Sequence, residues 1–429
     1  MPVMSITLLI LSVVFLVMGV SVAASLGLAS IIVMLVYHPV PNMMIIPQLF
    51  SESSTSFILL AVPLFILAGN LMERGSMGRN LIEFTSSFVG WMKGGLGSTT
   101  IIGSMIFGGI SGSSLADTAT FGTILVPRMV ADKYPKDYAA AITLCSSCLA
   151  VIIPPSILIV LAAASTLQSV GRALAAGVLP GVMITVMLLI PNYLISKKHG
   201  YGTKIPFSIR NIGKKFLTCW TALIAPLIIL GSIFSGIVTP TEGALVAVLY
   251  IVFVDMLIFR KFNVKDFTIA LKNTSVLSAS ILFIATSSSI ANWIIAYEHV
   301  PQVMSQALIH VPGGQAGFII LIIIMLIIIG MTLDAAPAIL IFTPLFLPVA
   351  ISLGMDPTHF LMLMVVGFAI GLTTPPYGVC LFSISAICKI PMDQLVRASW
   401  PFYVILFIAL LIIAFFPSLS LFLPDLLGI

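Results

Sequence analysis

Residues 108–122 read GGISGSSLADTATFG, and residues 330–338 read GMTLDAAPA. Each stretch interrupts a long apolar run with glycines or hydroxyl side chains and one aspartate, after which the apolar run resumes. Non-helical backbone is tolerated at membrane depth only where protein or a water-filled cavity satisfies its polar groups. A short polar tip between two hydrophobic arms therefore predicts a re-entrant hairpin. Lys93 and Arg128 flank the first stretch, whereas the loops around the second carry no Lys or Arg. The two hairpins are expected to enter the membrane from opposite sides.

The rest of the chain supports that setting. Of its 429 residues, 60% are hydrophobic and only 8% charged, against about 25% charged in soluble domains. Apolar stretches near the ~20 residues needed to cross a bilayer recur at Phe57 to Met72, Phe216 to Phe234, around Phe318 to Ile329, and at Phe402 to Phe416. No soluble domain fits between them. The net charge of +5 is scattered over short loops, which argues against nucleic acid as a partner. Met1 to Tyr37 lacks a basic leading region and reads as retained transmembrane sequence. The five cysteines all lie in apolar sequence, and their odd number speaks against a disulfide framework. Cys145 and Cys148 have no His or carboxylate nearby to complete a metal site, so they read as packing residues.

The chain also repeats. An offset of 217 residues aligns Gly19 with Gly236, Asp117 with Asp334 and Pro127 with Pro344. After a four-residue insertion, an offset of 221 aligns Pro154-Pro155 with Pro375-Pro376 and Pro180 with Pro401. Placing residues 73–95, 128–138, 196–215, 260–273 and 388–399 in the cytoplasm gathers eighteen of the nineteen Lys and Arg residues there, Arg172 excepted. The expected fold is an all-α polytopic membrane protein of two inverted repeats, with about ten crossings, two re-entrant hairpins and both termini outside. Five crossings per half is an odd number, so the second half inverts. Its expected parts are 1–95, ending in an amphipathic helix, a hairpin and broken helix over 96–168, a connecting helix, cytoplasmic loop and further crossings over 169–312, the matching hairpin and broken helix over 313–390, and a last helix over 391–429. Met77, Leu81, Phe84, Phe88 and Trp91 recur at helical spacing and predict an amphipathic helix along the membrane, with a counterpart near 297–309.

The polar residues of the tips suggest chemistry. Ser111, Ser113 and Ser114 offer oxygens, Gly112 allows close approach, and Asp117 brings a charge suited to a hard cation, for which sodium is expected. Thr332 and Asp334, beside Gly330, repeat the theme. Each hairpin is followed by a helix interrupted at a proline pair, Pro154-Pro155 in IIPPS and Pro375-Pro376 in GLTTPPYG. Proline leaves an earlier carbonyl unpaired, so those oxygens join Thr373 and Thr374 as candidate cation ligands. Half-helix N-termini suit a carboxylate. Ser146 and Ser147 precede the first break and either add ligands or bond to their own backbone. The competing readings are close packing of small residues with Asp117 as a cap, and ordinary kinks at the prolines.

Glu242 follows Thr239 and Pro240 as a capping box should, which makes a structural role preferable to proton carriage. Asn70 and Glu73 read as capping and interfacial residues, with a tertiary role for Asn70 the alternative. No metalloprotease, phosphate-loop or nucleophile-elbow motif is present, so no enzyme is expected. The five histidines fall in expected loops or interfaces, which favours sodium over protons as coupling ion.

VPLFILAGNLMERG (62–75), GISGSSLAD (109–117), IIPPS, TPTEGA (239–244) and TTPPYG together resemble the large membrane subunit of tripartite ATP-independent periplasmic (TRAP) transporters, over the whole chain. The resemblance implies a bacterial inner-membrane, elevator-type transporter in which a transport part, 96–168 with 313–390, slides against a scaffold within 1–95 and 169–312, and two sodium sites flank the substrate. It implies a small four-helix membrane subunit and a periplasmic substrate-binding protein as partners, with Arg172 a candidate for the docking surface. It implies an organic-acid substrate, with sialic acid preferred and a four-carbon dicarboxylate next. Carried onto this chain, one sodium site involves Ser111, Ser113 and Asp117 with the first break, the other Thr332 and Asp334 with Thr373 and Thr374. A stand-alone sodium-coupled carboxylate carrier is the nearest alternative, and a membrane-embedded enzyme or respiratory-complex subunit is a more distant one.

Overall fold

Helix is the only regular structure in the described residues of the computed structural model, which are 3–37, 44–202, 208–260, 262–309 and 313–429. In chain order the helices are α1 (Val3–Val17), α2 (Val22–Tyr37), α3 (Ile45–Ser54), α4 (Ala61–Arg74), α5 (Ser76–Val89), α6 (Gly95–Ser111), α7 (Ser114–Ala131), α8 (Lys136–Ser146), α9 (Ile157–Ser165) and α10 (Val170–His199). Then come α11 (Ile209–Phe234), α12 (Pro240–Phe253), α13 (Val264–Tyr297), α14 (Val300–Ile309), α15 (Gly314–Gly330), α16 (Ala335–Ser352), α17 (Pro357–Gly371), α18 (Val379–Cys388), α19 (Met392–Phe415) and α20 (Ser418–Leu427).

The second half runs through the first half's order, with the 34 residues of α13 standing where α3 and α4 stand before. Gly19 and Gly236 occupy matching turns, both with positive φ, where the absence of a Cβ removes the strain. The hairpins correct the register read from the sequence. Helices α7 and α16 each have 18 residues, and their first residues, Ser114 and Ala335, stand 221 apart. Asp334 therefore matches Ser113, both being N-caps, and Asp117 lies one turn further into α7. Pro127 likewise matches Pro348 rather than Pro344. The reason is helical phase, since four residues are about one turn and a four-residue slip keeps each residue near its original face.

Among the described residues, six helices are long and apolar enough to cross a membrane: α10, α11, α12 with its π-helical extension to Ile258, α13, α16 and α19. Length alone therefore does not reproduce ten crossings. Helices α8 with α9, and α17 with α18, are short because each pair is a single helix interrupted at its prolines. Helix α16 meets the length criterion while serving as an arm of the second hairpin.

The expected amphipathic helix is α5. Met77 and Leu81 are fully buried, and Phe84 packs on Phe216 of α11 at 5.9 Å between ring centres. Phe88 and Trp91 remain exposed. Its counterpart is α14, where Ser305 meets Ser352 of α16 at 2.7 Å between hydroxyl oxygens. Thr239 and Glu242 form the expected capping box of α12, and all five cysteines are free and buried.

Arg172 and His359 are both held by contacts within the chain. Arg172 is engaged within the chain, donating from Nη2 to Asp425 Oδ1 at 2.9 Å, from Nη1 to the Ile429 carbonyl at 2.6 Å and from Nε to Thr358 Oγ1 at 3.1 Å. It ties α10 to α20 and α17. His359 is not in a loop but buried in α17, with its ring nitrogens 3.4 Å from Ser420 Oγ and 3.3 Å from the Ala414 carbonyl. His38 and His310 lie outside the described residues.

The base of the first hairpin is pinned by Asn192 of α10. Its Nδ2 donates to the Gly94 carbonyl at 3.2 Å and to Ser98 Oγ at 3.0 Å, while its Oδ1 accepts from the Tyr138 hydroxyl at 3.4 Å. Replacing Asn192 by Leu strands these buried groups at about 1–3 kcal/mol each. The expected result is a melting temperature several degrees lower in detergent, measured by fluorescence-detected size exclusion.

Candidate functional site

Each hairpin tip rests on the break of the helix that follows it, and glycine makes the approach possible. A Cβ on Gly109 would stand 3.1 Å from the Pro154 carbonyl oxygen, and one on Gly112, whose φ is +60°, 3.1 Å from that of Pro155. In the second half a Cβ on Gly330 would stand 3.1 Å from Gly371 Cα, and one on Gly371 would stand 2.6 Å from Gly330 Cα. The Tyr377 amide donates to the Met331 carbonyl at 3.1 Å, which joins break to tip directly. Both proline pairs are cis.

The breaks and tips together create four interior helix starts: α7 at Ser114, α9 at Ile157, α16 at Ala335 and α18 at Val379. All four line a single cavity of about 240 Å³. The first turn of a helix has amides without intrahelical partners and carries the positive end of the helix dipole, so four of them facing one space favour an anion. Ser113 caps α7, accepting from the Ala116 amide at 3.4 Å, and Ser156 caps α9, accepting from Ile159 at 3.3 Å. Asp334 caps α16, accepting from Ala335 at 2.8 Å, and is exposed to the cavity. Among the described residues, no Lys, Arg or His lines the space.

The opposite wall belongs to α4 and α13 through Gly69, Asn70 and Ser280. A Cβ on Gly69 would stand 2.9 Å from Ser111 Cα, so the first tip lies directly against α4. Asn70 is not a cap. Its Nδ2 donates to Thr274 of α13 at 3.0 Å, and Glu73, one turn on, accepts from Thr120 of α7 at 3.2 Å.

The structure gathers some of the expected ligands and separates others. Ser111, Gly112, Ser113, Ser114 and Asp334 share the cavity, whereas Asp117 does not line it. Asp117 is fully buried within the first hairpin, where Oδ2 accepts from Ser104 at 2.8 Å and Oδ1 has no hydrogen-bond partner. Ser146 Oγ stands 3.1 Å from Ser104 Oγ and also within 3.3 Å of its own helix's Thr143 carbonyl; Ser147 donates to Leu144 at 2.7 Å. An orphaned, buried carboxylate oxygen beside two hydroxyls has the donor chemistry a hard cation needs. The second set is looser. Thr373 and Thr374 are buried and donate to the Ile370 carbonyl at 2.8 and 2.6 Å, while exposed Thr332 donates to Ile329 at 3.0 Å. Their lone pairs remain available, but Thr332 and the two threonines of the break lie outside the cavity lining, as do Pro154, Pro155, Gly330, Pro375 and Pro376.

Sequence reasoning missed Ser104, Ser156 and Ser280. Only Ser156 left a signal, as a Ser directly after a proline pair and before an apolar helix. A hydroxyl inside an apolar helix, as at Ser104, reads as a packing residue until its partner across the hairpin is known.

These features define a polytopic helical membrane protein of two repeats. The chain belongs to the tripartite ATP-independent periplasmic transporter family as its DctM component, the match running over residues 9–419. It is 34% identical over 404 residues to the C4-dicarboxylate TRAP transporter large permease protein DctM of Pseudomonas aeruginosa, covering 94% of each chain. It is 34% identical over 371 residues to the sialic acid TRAP transporter large permease protein SiaM of Vibrio cholerae, covering 86% of this chain and 87% of that one. Against the isethionate TRAP transporter permease protein DctMQ of Oleidesulfovibrio alaskensis it is 33% identical, covering 95% of this chain but 64% of the other. The solved structure of the Alcanivorax borkumensis YdaH transporter shares the fold, with a TM-score of 0.61 at 13% identity over 89% of this chain and 87% of that one.

The contact between Gly330 and Gly371 carries a prediction. Gly371→Val forces backbone atoms apart at the second tip, and substrate uptake is expected to fall at least tenfold, an effect of about 1.4 kcal/mol or more. Unchanged elution by size exclusion would show that the fold survives.

Proposed function

We propose that the chain is the large membrane subunit of a sodium-coupled, binding-protein-dependent importer of an organic acid in the bacterial inner membrane, with both termini periplasmic. The observation that carries this reading is the convergence of four helix N-termini on one cavity without a basic side chain. Backbone amides meet the carboxylate, and the hydroxyls of Ser111, Ser113 and Ser114 meet its other polar groups.

Sodium fits the charge balance. Asp334 faces the cavity and Asp117 lies buried behind it, so an incoming anion is repelled until cations neutralise them. Sodium at Asp117 with Ser104 and Ser146, and at Asp334 with carbonyls and threonines of the second break, therefore precedes the substrate. In the elevator motion that this reading adopts, hairpins α6–α7 and α15–α16 travel with the broken helices α8–α9 and α17–α18. Helices α4 and α13 stay behind with the scaffold. The scattered Lys and Arg residues support the inverted, ten-crossing topology.

Family membership supports two partners, a small four-helix membrane subunit and a periplasmic binding protein. The DctMQ relative, of which this chain matches 64%, supports the first. Sialic acid is the preferred substrate and a four-carbon dicarboxylate the next, two classes that the relatives' names include.

The test is uptake into liposomes holding this chain and its small subunit, with added binding protein and an imposed sodium gradient. Uptake should follow inward sodium, and uptake indifferent to sodium would end the coupling proposal. Asp117→Ala and Asp334→Ala should each insert normally and raise the sodium needed for half-maximal uptake by about tenfold or more, the effect of losing one charged contact.

A further inference from the structure

A second opening lies beside the central cavity, a crevice of about 440 Å³ walled by α3, the end of α9, α13 and one residue of α16. Among the described residues its lining contains no Lys, Arg or His and one carboxylate, that of Glu52. The neutral groups are oriented in a consistent way. Ser165 and Ser289 spend their hydroxyl protons on the carbonyls of Ala162 and Thr286, at 3.0 and 2.8 Å, which leaves them lone pairs to offer the crevice. Asn292 donates from Nδ2 to the Leu340 carbonyl of α16 at 3.1 Å, and its Oδ1 is buried with no partner. One turn earlier on α13, Ser288 is 1% exposed and its Oγ is also unpartnered. Ser288 and Asn292 thus bring two unpartnered oxygens to the wall of the crevice, and a buried polar atom without a partner is costly.

We infer that this crevice is a binding site for a hard monovalent cation, held by Glu52, Ser288 and Asn292 with the lone pairs of Ser165 and Ser289. Oxygen donors with a single carboxylate suit an alkali ion, and the volume leaves room for part of its hydration shell. The site adjoins the central cavity along one helix. Leu277, Ile281 and Ile284 of α13 line the cavity, while Ser288 and Asn292 of the same face line the crevice. A cation held here is positioned one to two turns from the carboxylate that caps α16. The crevice thus stages sodium on its way to the transport site, a role that rests on the sodium-coupled reading above.

The probe is the thallous ion, an alkali-ion surrogate visible by anomalous scattering, soaked into crystals of the complex of this chain with its small subunit. A peak is expected in the crevice of the unaltered complex and none there in the double variant Glu52→Gln, Asn292→Leu, with any peak in the central cavity retained. In liposomes the same variant should need about threefold more external sodium or above for half-maximal uptake, at an unchanged maximal rate. A crevice that holds ordered water and no thallium overturns the inference, as does a peak that survives the double substitution. Thallium in the crevice with uptake indifferent to sodium keeps the site and removes the coupling. Sodium-dependent uptake with a thallium-free crevice removes the site alone.

Discussion

The structure depends on one constraint, that a helix ending inside a membrane must find partners for backbone groups that water would otherwise satisfy. Four helices begin in the interior here, and three of them solve the problem locally. Ser113, Ser156 and Asp334 supply side-chain caps, while α18 starts at a glycine without one. The caps occupy only part of each first turn, and all four helix starts line the cavity. Structural necessity and ligand attraction thus come from the same groups.

That origin explains why the site needs no basic residue. A lysine or arginine at this depth would carry a desolvation cost of several kcal/mol or more, whereas helix amides are already present and already oriented. It also explains the density of glycine at the tips. The first hairpin approaches the loop of its broken helix at Gly109 and Gly112, and the second approaches Gly371 through Gly330. The polar interior is held at main-chain distances on every side, and side chains are secondary in shaping it.

The outline was legible in the sequence because rare features carry it. Polar tips within apolar runs and paired prolines have few meanings at membrane depth, so hairpins and broken helices could be read directly. Register was less legible, since Asp117 and Asp334 are matched by identity and by helix face but not by position along the helix. Only the caps, Ser113 and Asp334, fix the phase. Residues that act across elements were least legible: Ser104 meets Asp117 from the other arm, Asn70 reaches Thr274 from 204 positions away, and Arg172 meets Asp425 from 253. Nothing local in the sequence marks such pairs. The burial of His359 has the same source, being decided by α20 folding back over α17.

The two halves differ most where α3 and α4 are separate pieces and α13 is continuous. At 1.5 Å per residue, the 34 residues of α13 make a rod of roughly 50 Å, whereas the first half has a joint between Ser54 and Ala61. A joint bends under load and a rod transmits it. The duplication has therefore produced a frame that is compliant at one rim and stiff through its full depth at the other, so a push on α3 is absorbed locally while a push on either end of α13 is felt along its length.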